Sequence, residues 1–441
     1  MHRYLPHTSE EVSSMLASLR LRSIEDLFAH LPQQIRFHDA YIKDAPLSDG
    51  QIRDLMARSG GQILIPFRGY GSYDHERPAI IDAIASRQEF LTSYTPYQPE
   101  VAQGTLQYIF EFQSIVCELT GLDVSNASMY DGATSAAEAM MMAVNVTNIP
   151  RVLVASDMLP HVIDTIKTYA HFRGVTIDFV EFNHDGLLDI EHLKRLSQQA
   201  YAALLVAYPN KYGIIADYAA INELVHQSGA LSIVYADLLA LTLFKQPAAF
   251  GADICCGEAQ SLGIPLSFGG PYVGYLSSIS KYVRKMPGRI CGITLDNRGQ
   301  RAYVLTLQAR EQHIRREKAN SNICSNQSLM ALQATIYAVT LGKKGLRQVA
   351  INTISATRYL HEQLIKTQLF KPSFKRPFAF ETTLDYVGSI DALNRQLQKK
   401  GYLGGMPIDE HRVVFYASEK TQKQTIDAFV NAIKECHDEI R

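Results

Sequence analysis

A mainly parallel α/β sheet covered by helices on both faces, with a smaller α+β domain at the C-terminal end, is the fold class this sequence predicts. Three observations predict it. Short β-branched apolar runs alternate with helical stretches through the middle of the chain. Those runs are apolar at nearly every position, as strands buried on both faces must be. The pattern then changes, and longer helical stretches dominate the last part. With 441 residues the chain exceeds one simple core. We expect a helical arm over 1–62, a large domain over 63–315 and a small α+β domain over 316–441.

The elements follow in order. In the arm, "TSEEVSSMLASLRL" opens with Thr8 or Ser9 as N-cap, followed by acidic residues. "SIEDLFAHLP" repeats the pattern and stops at Pro32, and "LSDGQIRDLMARSGG" gives a third helix closed by Gly60 and Gly61. The large domain reads as strands at "RVLVAS", "VTIDFVEF", "AALLVAYP" and "LSIVYAD", then "ADICCG" and "YVGYLSS". Helices lie between them at "LPHVIDTIKTYAHFRG", "DIEHLKRLSQQ" and "DYAAINELVHQSG". Long helices are expected through "QRAYVLTLQAREQHIRREKA", "NQSLMALQATIYAVTLGKKG" and "LRQVAINTISATRYLHEQLIKT", with strands at "FAFETTL" and "RVVFYAS".

Composition excludes several classes. Forty-three basic and 44 acidic side chains nearly cancel, so no field favours nucleic acid or an anionic membrane. No run of about 20 apolar residues predicts a membrane span, and the N-terminus "MHRYLPHTSEEV" lacks the apolar core of a secretion signal. The six cysteines, Cys117, Cys255, Cys256, Cys291, Cys324 and Cys436, show no C-x-x-C spacing, so no metal site is expected. They read as reduced thiols, and the expected location is cytoplasmic.

Ligands of such sheets sit at the C-terminal strand ends. In "MYDGATSAAEAMMMAVNV", Gly132, Thr134 and Ser135 open an apolar helix whose first N–H groups suit a phosphate, or make an ordinary capped helix start. "AYPNKYG" puts Asn210 at one strand end and "VYAD" puts Asp237 at the next. Asp237 suits a protonated pyridine nitrogen. Equally, the two are a turn Asn and a capping Asp. The order of these features resembles the large domain of pyridoxal-phosphate enzymes of the aspartate aminotransferase fold (fold type I). That fold implies a lysine some way after the Asp strand. Gln260 and Ser261 stand there, and neither can form a Schiff base. Lys211 and Lys245 read as a turn lysine and a surface lysine.

Longer stretches carry a closer resemblance. "LIPFRGYGSYDHERPAII", "TSYTPYQPEVAQGTLQYIFEFQSIVCELTGLDVSNASMYDGATSAAEAMMMA" and "MPGRICGITLDNRGQRAYVLTLQAREQHIRREKANSNICSNQSLMAL" resemble the P protein of the glycine cleavage system, glycine dehydrogenase (decarboxylating). The likeness is to its N-terminal half, a separate polypeptide (subunit 1) in some organisms. The resemblance implies that the catalytic lysine and covalently bound pyridoxal phosphate belong to subunit 2, so no catalytic residue is expected in this chain alone. It implies a heteromer, two copies of each subunit, that decarboxylates glycine and passes the aminomethyl group to the lipoyl arm of the H protein.

On that footing two loops are candidates to complete the partner's active site. The first is "SYTPYQPEVAQG", with Tyr94, Thr95, Tyr97, Gln98, Glu100 and Gln103, stiffened by Pro96 and Pro99. The second is "RREKANSNIC", with Arg315, Arg316, Ser321 and Asn322, where an arginine suits a carboxylate or phosphate. "FRGYGSYDHERP" offers Tyr73 and His75 as a third. Thr134, Asn210 and Asp237 would then mark a vestigial cofactor pocket filled by side chains. Two other readings are a non-catalytic scaffold for subunit 2 and an independent pyridoxal-phosphate enzyme using another lysine.

Overall fold

The structure, a computed structural model, describes Tyr4 and residues 6–36, 45–61, 63–323 and 326–440. Cys324 lies outside the described residues. The chain divides into two contact units, Met1–Gln62 and Ile63–Arg441.

The first unit holds helices α1 (Ser9–Ser18) and α2 (Asp49–Ser59). Each begins with a capping box, Thr8 with Glu11 and Ser48 with Gln51, which satisfies two orphan N–H groups reciprocally. The stretch read as a second helix is a 3₁₀ turn at Ile24–Phe28. Ser23 and Asp26 cap it, but Pro32 follows too soon for an α-helix to propagate.

The second unit is built on a seven-stranded sheet. In chain order its elements are α3 (Gln103–Thr120), β1 (Val124–Ser125), α4 (Gly132–Thr147), β2 (Arg151–Ala155), α5 (Pro160–Arg173), β3 (Thr176–Val180), α6 (Ile190–Leu196), β4 (Ala203–Tyr208), α7 (Ala219–Gln227), β5 (Leu231–Ala236), β6 (Ile254–Glu258) and β7 (Gly274–Ser278). The strand order is β1-β7-β6-β5-β4-β2-β3. Strands β3, β2, β4, β5 and β6 run parallel, while β7 is antiparallel to β6 and β1 antiparallel to β7. Every residue of β4 and β5 is buried, which accounts for their unbroken apolar character.

A hairpin of β8 (Ile290–Leu295) and β9 (Arg301–Thr306) follows, then α8 (Ser328–Lys366). The hairpin corrects the expected helix through "QRAYVLTLQAREQHIRREKA". Six residues of β9 pair with β8, and Leu307 at φ 54° ends the strand. Tyr303, Val304 and Thr306 carry the β-branched and aromatic bias that favours this outcome. Only two short helical segments, Gln308–Arg310 and Gln312–Arg315, precede a last turn at Arg316–Lys318. The two helices expected over 326–367 are present within α8, separated by a kink at Gly342, whose non-helical φ of 60° suits glycine.

The small antiparallel sheet has the order β10-β11-β13-β12, from β10 (Phe370–Pro372), β11 (Glu381–Tyr386), β12 (Met406–Pro407) and β13 (Arg412–Tyr416). Helices α9 (Ile390–Lys399) and α10 (Lys423–Ile440) pack on it. Phe67, from far upstream, enters this core and stacks on Phe429 with centroids 3.7 Å apart. Arg68 beside it donates to the carbonyls of Gly404 and Gly405, at 3.0 and 3.1 Å. The segment after Phe67 then crosses to the large sheet, where Tyr73 N–H meets Gln260.

Phe429 is fully buried between Phe67, Tyr402 and Phe415. Phe429→Ala is expected to cost about 3–5 kcal/mol, read as a lower midpoint in urea unfolding with a little-changed slope.

Candidate functional site

Three parallel strands end side by side, and each delivers a polar residue to the same place. Asn210 follows β4, Asp237 follows β5, and Glu258 ends β6. Gly71, Tyr73 and Leu159 close over them, and Glu381 enters from β11. The space between holds about 40 Å³. That is room for a few waters, against the roughly 300 Å³ at which small-molecule pockets begin.

The groups that sequence reasoning offered to a ligand are engaged within the chain. Asp131 caps α4 by accepting the N–H of Thr134 at 2.7 Å, and the Thr134 hydroxyl returns to Asp131. Gly132 N–H donates to Glu258 Oε2 at 2.9 Å, and Val273 N–H donates to Oε1 at 2.9 Å. The electropositive helix start is therefore satisfied by the protein's own carboxyl groups. Gly132 is needed for this approach, since a Cβ there would stand 2.5 Å from the Tyr235 hydroxyl and 2.8 Å from Glu258 N.

Asn210 donates to Asp157 and to Gly186 O, both at 2.9 Å, and accepts from Tyr212 and Ile214 N–H. Asp237 accepts from Ala240 N–H at 2.8 Å. Gln260, at the place of the absent lysine, accepts from Tyr73 N–H at 2.7 Å and donates to Tyr73 O and Ile264 O. No lysine lines the cavity. Lys211 donates to Ser156 O at 2.7 Å and lies over the rings of Phe182 and Tyr212, and Lys245 is exposed.

Electrostatics points the same way. Burial pushes Glu258 up to about 8, against the pull of the Gly132 and Val273 N–H groups. Burial likewise raises Glu381 to about 7 and Asp157 to about 6, and lifts Asp237. An acid-rich pocket of this size, with the Gly132 and Thr134 N–H groups already taken, does not fit pyridoxal phosphate. Tyr73 also turns inward, donating to Glu381 at 3.2 Å, and His75 is buried with its Nδ1 2.8 Å from Glu419 Oε2.

The two loop candidates sit differently. Tyr94 is 79% and Tyr97 54% exposed, with Gln98 and Glu100 also exposed. Pro96 is buried and anchors the loop. Gln103 instead ties α3 to β9, donating to Tyr303 O and accepting from Tyr303 N–H, both at 2.9 Å. Arg315 and Asn322 are exposed, whereas Ser321 is buried and its hydroxyl accepts from Ile323 N–H. Arg316 stands at φ 54°, an uncommon backbone state for a side chain of its size. A residue outside the sequence-based candidates, Arg289, draws the loops together: it reaches Thr95, Tyr97 and Glu311. Among the described residues no group of His, Cys, Asp and Glu could hold a metal ion. No helix among them is long and apolar enough to cross a membrane.

Comparison with known proteins gives a consistent picture. The family model "Glycine cleavage system P-protein" matches residues 2–433. A relative from Desulforamulus reducens named "Probable glycine dehydrogenase (decarboxylating) subunit 1" is 43% identical over 96% of this chain and 98% of its own length. One of the same name from Bacillus cereus strain B4264 is 42% identical over 98% of each chain. Among solved structures, glycine decarboxylase (P-protein) of the glycine cleavage system, in inhibitor-bound form, superposes with a TM-score of 0.89 at 37% identity. The match covers 99% of this chain and 100% of that one. Glutamate decarboxylase of Lactobacillus brevis has a TM-score of 0.69 at 11% identity, covering 94% and 97%. The fold is thus the pyridoxal-phosphate fold type I that the order of strand-end residues implied.

Glu258 gives a signed pH effect. Its folded pKa is raised, so between the ordinary glutamate range and about 8 the folded chain keeps a proton that the unfolded chain releases. Stability should fall as pH rises through that window, by at most about 1.4 kcal/mol per pH unit from this group. Glu258→Gln removes the titration, and melting temperature against pH should be flatter between about pH 5 and 8. Parallel curves for the two proteins would contradict the assignment.

Proposed function

The chain belongs to the glycine cleavage system P-protein family, and we propose that it serves there as the subunit that lends two loops to an active site housed in a partner chain. Its role lies in glycine cleavage, as a component of a glycine dehydrogenase (decarboxylating). The partner is subunit 2, which holds pyridoxal phosphate covalently, and the enzyme is active only as a heteromer of two copies of each subunit in the cytoplasm. Residues 63–315 act as the large domain and 316–441 as the small one, with 1–62 as an arm.

The observation that carries this reading is the closed pocket. Gln260 occupies the place of the lysine, its amide held by Tyr73 and Ile264, and the Thr134 and Gly132 N–H groups at the start of α4 are taken by Asp131 and Glu258. A chain without the amine and without the space contributes from outside the cofactor site. The exposed groups suited to that are Tyr94, Tyr97, Gln98 and Glu100 on one loop and Arg315 and Asn322 on the other.

Each side chain has a physical task in this scheme. The tyrosine rings are rigid apolar walls with polar tips, able to exclude water from one side of the partner's site. Thr95 is held from behind, so its hydroxyl keeps the loop's shape. Arg315, exposed and in no ion pair among the described residues, offers a fork of donors to the glycine carboxylate. Carbon dioxide leaves there, and the lipoyl arm of the H protein collects the aminomethyl group along the same lip.

Tyr97→Phe and Arg315→Ala test this in the co-purified heteromer. Assembly by size exclusion should be unchanged, while exchange of the glycine carboxyl carbon with bicarbonate falls roughly ten- to a hundredfold, the worth of a charged hydrogen bond. Unchanged exchange would favour a scaffold. The chain alone should stay colourless with pyridoxal phosphate, and borohydride should fix no label on a lysine; labelling of one lysine would favour an independent enzyme.

A further inference from the structure

Three segments far apart in sequence meet at one buried guanidinium. Arg289, just ahead of β8, is 4% exposed. Its Nη1 donates to Thr95 Oγ1 at 3.2 Å, its Nη2 to the Tyr97 hydroxyl at 3.4 Å, and its Nε to Glu311 Oε2 at 3.4 Å. The guanidinium carbon also lies 5.4 Å from the centre of the Tyr97 ring. Glu311 is buried too, and the same Oε2 lies 3.5 Å from His313 Nδ1. His313 closes the circuit, meeting Tyr97 edge-on with ring centres 6.3 Å apart.

Arg289 is itself held. Its carbonyl accepts from Ala127 N–H at 2.8 Å, which ties it to the large domain beside α4. Arg310 donates to the carbonyls of Met286, Gly288 and Leu307, bracing the turn on which Arg289 stands. Taking an arginine and a glutamate out of water is costly, and apolar side chains would close a surface loop at least as well. The arrangement makes sense as orientation: a planar fork fixes the direction of two hydroxyls and one ring, which an apolar contact would leave free to rotate.

We propose that Arg289 is a positioning residue for the glycine reaction, presetting Thr95 and Tyr97 and coupling that loop through Glu311 and His313 to the segment bearing Arg315. This rests on the reading that these loops complete the partner's site. The two loops then act as one lip, and a small error in Arg289 is felt at Tyr97, more than half exposed.

The assembled heteromer carrying Arg289→Met, Arg289→Lys, Tyr97→Phe or Arg289→Met with Tyr97→Phe supplies the test, by glycine carboxyl exchange. Arg289→Met should lower kcat about a hundredfold with a much smaller change in KM for glycine, and lysine should restore only part. The double variant should be no worse than Arg289→Met alone, because Tyr97 has already lost its orientation. Losses that multiply, or a normal kcat in Arg289→Met alongside an impaired Tyr97→Phe, would overturn the proposal and leave the loop reading intact. A normal Tyr97→Phe enzyme would instead overturn the loop reading. If Arg289→Met does not assemble, Glu311→Gln, which keeps the shape and removes the charge, runs the same cycle with the same expected non-additivity.

Discussion

The arrangement hangs on the contact between the start of α4 and the end of β6. Gly132 N–H and Val273 N–H both point at the Glu258 carboxyl, and the glycine lets the helix come close enough for that. A helix start is the part of this fold that attracts an anion. Here two of those N–H groups, on Gly132 and Thr134, are satisfied from inside the chain. Once they are, the nearby residues settle into structural work: Asp131 caps, Asn210 closes a turn, Asp237 caps a short helical turn, and Gln260 pins the crossing segment at Tyr73. The segment from Phe67 to Tyr73 links the small sheet's core to this point, so the two sheets of the second unit share the same closure.

The closed pocket and the loop lip are two treatments of buried charge. At the pocket, the carboxyl groups of Asp237, Glu258 and Glu381 gather, and burial raises their pKa values. At the lip, Arg289 and Glu311 are buried together and retain hydrogen-bond partners on each side. The first arrangement holds protons and stays shut. The second holds directions.

Much of this was legible in the sequence. The strands of the large sheet announce themselves as unbroken apolar runs, and Asn210 and Asp237 fall at strand ends as their positions imply. Gln260 could be seen to lack an amine. The residues of β9 also suit a helical period, and only their pairing with β8 decides for a strand. Glu258 and Arg289 were not legible as hubs. Their partners lie 126 residues away for Gly132 and 194 and 192 for Thr95 and Tyr97, beyond any local pattern. What signal existed was modest: an arginine inside "MPGRICG", between a turn and an apolar strand, is a residue that needs a buried partner.

The closure around Gln260 also bears on how such a chain can change over generations. Placing a lysine at position 260 would not open the pocket. The new amine would meet the carbonyls of Tyr73 and Ile264, Glu258 would still hold the helix start, and Tyr73 and Leu159 would still roof the space. Each retreat made singly leaves a hole or an orphaned backbone group before any benefit accrues. The pocket therefore resists piecemeal change: a substitution at position 260 alone meets groups already engaged and a space already roofed.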